Sequence, residues 1–377
     1  MSIKAEPTFS LKDQLFNAES VGELSAAIAK AQPGFARDDF ERAVLARFAD
    51  LELKDRIRWI VTVLEKHLPA DYPKALDILG RSLPKPLDPD KTDDDFGKFI
   101  WVVPGEYAAR HGCSAEHLEK SLAFLREATK RFSSEGPIRP FLRHFPEQTL
   151  AFIHECSGDA NYHVRRLASE GIRPFLPWAE RVELPVDTVI GVLDRLHADN
   201  TRYVTRSVSN TLNDLSRIDA DAVVETLARW RRQKRQQARE LDWMTRHALR
   251  TLLNDNDAKA MALLGYAAQP VYRMSGLQTS PQVEVGDAFE WCCKLTSLAT
   301  QKLKITLRIH YLKANGKHSV KTFAVKDGNF GKGESIEVSK RVPFRPVTTR
   351  TLYAGTHYAQ LLVNGTSRQK RRFELVE

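Results

Sequence analysis

From Leu11 to about Gln269 apolar residues recur three and four positions apart, as in VGELSAAIAKA, RIRWIVTVLEKHL and DTVIGVLDRLH. That is the spacing of one helical face. Short breaks rich in Pro, Gly and Asp, such as LPKPLDPDKTDDDFG, separate these stretches. After PVYRMSGLQTSP the period drops to two. KLKITLRIHYLKA alternates, KANGKH reads as a turn, SVKTFAV alternates again, and VTTRTLYAG and HYAQLLVNGTSRQKRRFEL follow. In the last of these, Asn364-Gly365 stands where a type I′ hairpin turn is expected. The pattern predicts a helical domain over residues 1–268, a linker near 268–282, and about seven short strands forming an immunoglobulin-like sandwich over 275–377.

The helical part repeats itself. DANYHVRRLASE at 159–170 returns as DNTRYVTRSVSN at 199–210, a shift of 40 that sets Val164 on Val204, Arg166 on Arg206 and Ser169 on Ser209. A second shift of 40 sets Thr205-Arg206 on Thr245-Arg246. Upstream, SSEGPIRPFL at 133–142 echoes ASEGIRPFL at 168–176, placing Glu135 and Glu170 35 residues apart. Such periods are the signature of stacked helix pairs, in which equivalent positions line up along one face. The fold class expected is therefore multidomain: an all-α HEAT-like repeat solenoid followed by a small all-β immunoglobulin-like sandwich. Glu135, Glu170 and Asn210 should form one row, and Arg166, Arg206 and Arg246 another.

Composition narrows the function. The 377 residues carry a formal net charge of +9, so a polyanion is a reasonable partner, though charge alone does not separate nucleic acid from an acidic membrane face. The four cysteines have no framework spacing, which suggests reduced thiols. MSIKAEPTFSLKDQ has no apolar signal core and no run of about 18 apolar residues occurs, so a cytosolic protein is expected. GNFGKGES lacks P-loop spacing and reads as a hairpin loop. DPDKTDDD lacks the Gly and final Glu of a calcium loop, and His154, Cys156 and His163 are not at zinc spacing. Neither a metal nor a cofactor is expected.

An arginine at each repeat of a curved helical face suits a phosphate backbone. Carboxylates amid that positive potential suit a cation better than DNA itself. An N-alkylated purine is such a cation, and breaking its glycosidic bond leaves an oxocarbenium-like sugar that a carboxylate stabilises. The base already carries the charge that a general acid would otherwise supply. SSEGPIRPFL followed by NYHVRRLASEGIRPFLPWA resembles the AlkC branch of the bacterial AlkC/AlkD DNA glycosylases, as do FGKFIWVVPGEYAARHG, LKANGKHSVKTFAV, TRTLYAGTHYAQLLVNG and the terminal RRFEL. The resemblance spans nearly the whole chain.

It implies metal-free, monofunctional excision of small cationic lesions from duplex DNA, chiefly N3-methyladenine and also N3-methylcytosine. Glu135 and Glu170 match the family's catalytic acids. Two departures stand out: Glu155-Cys156, where an aromatic is expected, and Gly136-Pro137, in place of a bulkier apolar pair. Arg165, Arg166, Arg173, Tyr203, Arg206, Asn210, Arg246 and Arg250 are the candidate DNA contacts. Arg165, Arg166 and Arg173 have the competing role of facing the neighbouring repeat, and Glu170 that of an i, i+4 partner of Arg166. Trp178 and Trp243 read as packing residues. ARWRRQKRQQARELDWMTRHALR reads equally as a solvated face or a phosphate clamp, and KRVPFR with SRQKRR makes the sandwich a second clamp. No lysine stands out as a Schiff-base nucleophile, so no lyase activity is expected, and a monomer is. The alternatives are a non-catalytic DNA-binding solenoid, which would not need the paired acids, and a protein-binding scaffold.

Overall fold

The computed structural model describes residues 10–91, 93, 96–346 and 351–377. Residues 347–350, the start of the expected VTTRTLYAG strand, lie outside the described residues, as do Thr92, Asp94 and Asp95 of the acidic stretch and the side chains of Arg368 and Gln369. The chain forms two compact units, residues 1–219 with 229–248, and residues 220–228 with 249–377. Among the described residues no helix is long and apolar enough to cross a membrane.

The first unit is helical. The helix Tyr162–Glu170 starts where the Asn161 side chain accepts the His163 N–H at 2.9 Å, and it buries Val164, Leu167 and Ala168. The helix Arg202–Leu215 fully buries Val204, Val208 and Leu212, each contributing roughly 1.5–3 kcal/mol. Arg202, Arg206 and Asn210 keep partial exposure along one stripe of it, since residues four apart share a helical face. The 162–170 helix packs on the 202–215 helix, which packs on Ala238–Ala248. Arg166, Arg206 and Arg246 therefore occupy equivalent positions on three neighbouring helices.

A charge ladder stitches the repeats. Arg126 pairs with Asp159, Arg165 with Asp199 at 2.5 Å, and Arg202 with Glu240 at 2.5 Å. Asp159 and Asp199 also act locally, each accepting the backbone N–H two residues on, from Asn161 at 2.7 Å and Thr201 at 2.8 Å. Each thus shapes the turn into the next helix while receiving the preceding repeat's arginine. Arg165 also donates to the carbonyls of Asp159 and Ala160.

In the second unit the strands β1 (Tyr272–Thr279), β2 (Gln282–Glu284), β3 (Ala288–Ser297), β4 (Gln301–Leu312), β5 (His318–Phe330), β6 (Ser335–Pro343), β7 (Gly355–Val363) and β8 (Thr366–Val376) form two sheets. Their orders are β1-β3-β6 and β2-β8-β7-β4-β5. All pairs are antiparallel except β2 with β8. The core holds Phe289, Trp291, Ile305, Leu307, Phe344 and Phe373. Cys293 is buried and Cys292 is not, as alternation along β3 requires. Three details differ from expectation. The strands number eight among the described residues, residues 351–354 are not strand, and GNFGKGES joins β5 to β6 across different sheets and is not a hairpin loop.

Asn364 and Gly365 both have positive φ, +48° and +78°, as a type I′ turn demands. The turn is also anchored. Asn364 Nδ2 donates to the carbonyls of Ala267 and Lys302, and its Oδ1 accepts the Lys304 N–H at 2.7 Å. A Cβ on Gly365 would come within 2.7 Å of Asn256 Cβ. Gly316 has a similar φ of +74° but open space around it. Gly365→Ala should therefore cost about 2–3 kcal/mol in chemical denaturation, and Gly316→Ala only about 1. Equal losses would show that the contact with Asn256 adds nothing.

Candidate active site

The repeat brings Glu135 and Glu170 to either side of one guanidinium. Arg166 Nη1 donates to Glu135 Oε2 at 2.5 Å and to Ser133 Oγ at 2.7 Å, while its Nη2 lies 3.6 Å from Glu170 Oε1. Arg173 Nη1 donates to the same Glu170 oxygen at 2.5 Å, and its Nε to Asp214 at 2.9 Å. Ser207 Oγ donates to Glu170 Oε2 at 2.6 Å. Tyr203 presents its ring to Arg166, 4.7 Å from centroid to guanidinium carbon. The charges alternate from Glu135 through Arg166, Glu170 and Arg173 to Asp214. Burial works against the ionised form of Glu170, but Arg166, Arg173 and the Ser207 hydroxyl outweigh it and hold the carboxyl below the usual range.

The two acids differ in access. Glu135 keeps 28% of its side chain exposed and lines a cavity of about 510 Å³. Glu170 is 4% exposed and is not part of that cavity's wall. Phe99, Glu106, Glu135 to Pro137, Arg139 and Trp178 are among its walls.

Trp178 read from the sequence as a packing residue, and the structure overturns this. Trp178 is 65% exposed at φ +64°, a conformation that costs a non-glycine residue about 1 kcal/mol or more. The loop carrying it is fixed from below by Arg139, fully enclosed, which donates to the carbonyls of Glu180 at 2.5 Å, Gly171 at 3.0 Å and Arg173 at 2.9 Å. Burial, with Arg173 beside it, lowers the Arg139 pKa to about 10. Arg139 and Arg173 come from the same repeated IRPFL motif, yet one holds backbone and the other holds carboxylates. The motif itself was the available signal; its two uses were not visible in it.

The predicted DNA contacts separate. Three are held inside the fold: Arg165 belongs to the ladder, Arg173 is locked between Glu170 and Asp214, and Tyr203 is 5% exposed beneath Arg166. Arg166 is held in the charge chain. Arg206 pairs with Asp93, and Phe96 meets Tyr203 edge-on at 5.5 Å. Asn210 Oδ1 meets His247 Nε2 at 2.8 Å. Arg246 is exposed. Arg250 belongs to the second unit, at the start of the helix Arg250–Asp255. Trp243 is not core either, being stacked on His247 with the Arg202 guanidinium 3.8 Å from its ring. At the departure noted at Glu155-Cys156, Cys156 is fully buried and Glu155 exposed, and neither is among the cavity walls.

Residues 273–377 match the family described as "Uncharacterised protein YhaZ, C-terminal Ig-like domain". The Bacillus subtilis (strain 168) protein described as "Uncharacterized protein YhaZ" is 29% identical over 367 residues, 96% of this chain and 98% of that one. A solved structure of Pseudomonas fluorescens alkylpurine DNA glycosylase AlkC, bound to DNA containing an abasic site analog, matches with a TM-score of 0.86. Its sequence identity is 30%, and the match covers 98% of this chain and 100% of that chain.

Because the folded Glu170 carboxyl titrates below its ordinary value, its charge stabilises the fold above the unfolded pKa, about 4.3, and that contribution fades as pH falls through the folded value. Glu170→Gln leaves Arg166 and Arg173 short of a counter-charge and should cost about 3 kcal/mol near neutrality. In urea titrations the gap between wild type and variant should hold steady above about pH 5.5 and narrow below pH 4. A gap that stays constant to pH 3 would mean Glu170 is not charged in the fold.

Proposed function

Since the chain belongs to the AlkC family of alkylpurine DNA glycosylases, we propose that it hydrolyses the N-glycosidic bond of cationic N-alkylated bases in duplex DNA. N3-methyladenine is the chief substrate and N3-methylcytosine a further one. The observation that carries this reading is Glu135: a carboxylate at a cavity wall, oriented by Arg166, in the same cavity as an exposed tryptophan.

As the C1′–N bond breaks, its electron pair moves into the base and neutralises the ring, and positive charge develops on the sugar. The Glu135 carboxylate stabilises that charge and takes a proton from the water that adds at C1′. Trp178 offers a flat apolar face to the sugar or base. Glu170 is a positioning residue here rather than one that touches substrate, because it is enclosed and acts through Arg166. Arg206 and Arg246, with Arg202 beside them, grip phosphates, and a phosphate would take the place of Asp93 on Arg206. The basic strands of the sandwich add a second contact to DNA. No lyase step is assigned, and the enzyme acts as a monomer in the bacterial cytosol.

The enclosure of Glu170 favours a second reading, a DNA-binding protein without catalysis, in which both acids only tie repeats together. Release of methylated base from methylated duplex DNA decides between them. Wild type should release N3-methyladenine, with Glu135→Gln slower by about 100-fold or more and still binding DNA. No release by wild type, with DNA affinity that falls steeply with salt, would establish the second reading. Arg246→Gln should lower the slope of log affinity against log salt by about 0.9, and an unchanged slope would remove Arg246 from the phosphate contacts.

A further inference from the structure

The cavity that Glu135 lines contains another acid, Glu106, at the centre of the helix Val102–Gly112. This helix and the Glu135 segment interlock closely. A Cβ on Gly105 would stand 3.0 Å from Pro137 Cγ, and a Cβ on Gly136 would stand 3.5 Å from Glu106 Oε1. The tight fit is at Gly105 against Pro137, while the Glu106 carboxyl lies within ordinary contact of position 136, so the two acids share one wall.

The arginines near Glu106 are engaged elsewhere. Arg110, one turn along the same helix, donates to Glu65 at 2.6 Å, Thr62 at 2.8 Å and the Arg58 carbonyl at 3.2 Å. Arg58 pairs with Asp55 at 3.2 Å, and Arg139 holds its three carbonyls. Lys54 lines the cavity, and Glu180 adds a further negative charge. Among the described residues Glu106 makes no hydrogen bond or ion pair. Burial pushes its carboxyl above the usual range; Arg110, Arg58 and Lys54 pull the other way, and Glu180 adds to the rise. Glu135 has a fixed guanidinium partner, whereas Glu106 has none. A carboxyl without a partner, held at the wall of a cavity that accepts a ligand, is a group awaiting a cation.

We infer that Glu106 is a specificity-determining residue of this cavity, one that touches the bound base and recognises its positive charge. The inference rests on the glycosylase reading and gives its site a reason to prefer cations. With the cavity empty, burial makes ionising this carboxyl costlier than for an ordinary glutamate. A cationic heteroaromatic ring supplies the missing counter-charge and favours the carboxylate. When the glycosidic bond breaks, the base becomes neutral and loses that attraction, which favours its departure. Glu135 keeps its role at the sugar throughout.

Two measurements test this. The first is base release by Glu106→Gln and wild type across pH 5–9, with binding to duplex DNA holding an abasic-site analogue as control. The variant should release N3-methyladenine at least about 10-fold more slowly, a loss within the range of one charge-assisted contact. It should bind abasic DNA as wild type does, because that ligand has no base to recognise. An acid whose folded pKa is raised stabilises the fold below its unfolded pKa and loses that contribution as pH rises through the folded value. Glu106→Gln should therefore match wild type at pH 4–5 and melt about 1–3 °C higher at pH 8, a gain in stability with a loss in rate that a purely structural glutamate would not give. Release equal to wild type, or a fall in abasic-DNA binding of the same size, would overturn the inference.

The second measurement does not depend on catalysis. The side-chain carboxyl carbon of Glu106, labelled with ¹³C and assigned by its loss in Glu106→Gln, should titrate above an ordinary glutamate and shift down on adding 1,3-dimethylimidazolium. Titration as an ordinary glutamate, unaffected by that cation, would overturn it. If wild type releases no base while this titration behaves as expected, the glycosylase reading fails and cation recognition at Glu106 stands.

Discussion

The helical unit depends on a line of alternating charges that runs inward from the cavity wall. Glu135, Arg166, Glu170, Arg173 and Asp214 each touch the next. Taking such groups out of water is expensive, and the arrangement is stable only because each inner member has an opposite charge on both sides. That requirement explains its neighbours. Ser207 completes the hydrogen bonding of Glu170, and the Tyr203 ring faces Arg166 where water would otherwise stand. The chain also joins three repeats, because its members come from the 135 turn, the 162–170 helix with its loop, and the 202–215 helix. In the proposed reaction, a carboxylate fixed in this way would need little reorganisation as charge develops beside it.

Along the arginine row, exposure rises from one repeat to the next. Arg166 is 13% exposed in the charge chain, Arg206 32% exposed against Asp93, and Arg246 exposed. One sequence position is thereby graded from enclosed to exposed, and in the proposed function from support of a carboxylate to contact with phosphate. The ladder of Arg126, Arg165 and Arg202 uses the same residue type for a third purpose, fastening one repeat to the next. Counting arginines in the sequence therefore overstates the DNA-binding surface.

The cavity brings together features that cost stability: Trp178 at positive φ and Glu106 without a partner. Arg139, gripping three carbonyls beneath the loop, supplies rigidity that lets the strained tryptophan persist. Such a concentration of unfavourable local choices, compensated from behind, is what a site that acts on a ligand looks like.

The sequence by itself determined the change of period that separates helices from strands, the Asn364-Gly365 turn, and the repeat that aligns Arg166 with Arg206 and Arg246 and sets Glu135 beside Glu170. These are properties of spacing, and stacked repeats copy spacing faithfully into space. Only the tertiary structure decided which of those charges meet water. Arg173 is closed off by Asp214, 41 residues away in sequence, and Arg110 is drawn from Glu106 by Glu65, 45 residues away. Arg139 pins the loop that carries the exposed Trp178, and Glu106 lines the same cavity as Glu135. Whether a polar group is paired or open is set by its spatial neighbours, and a linear pattern does not contain them.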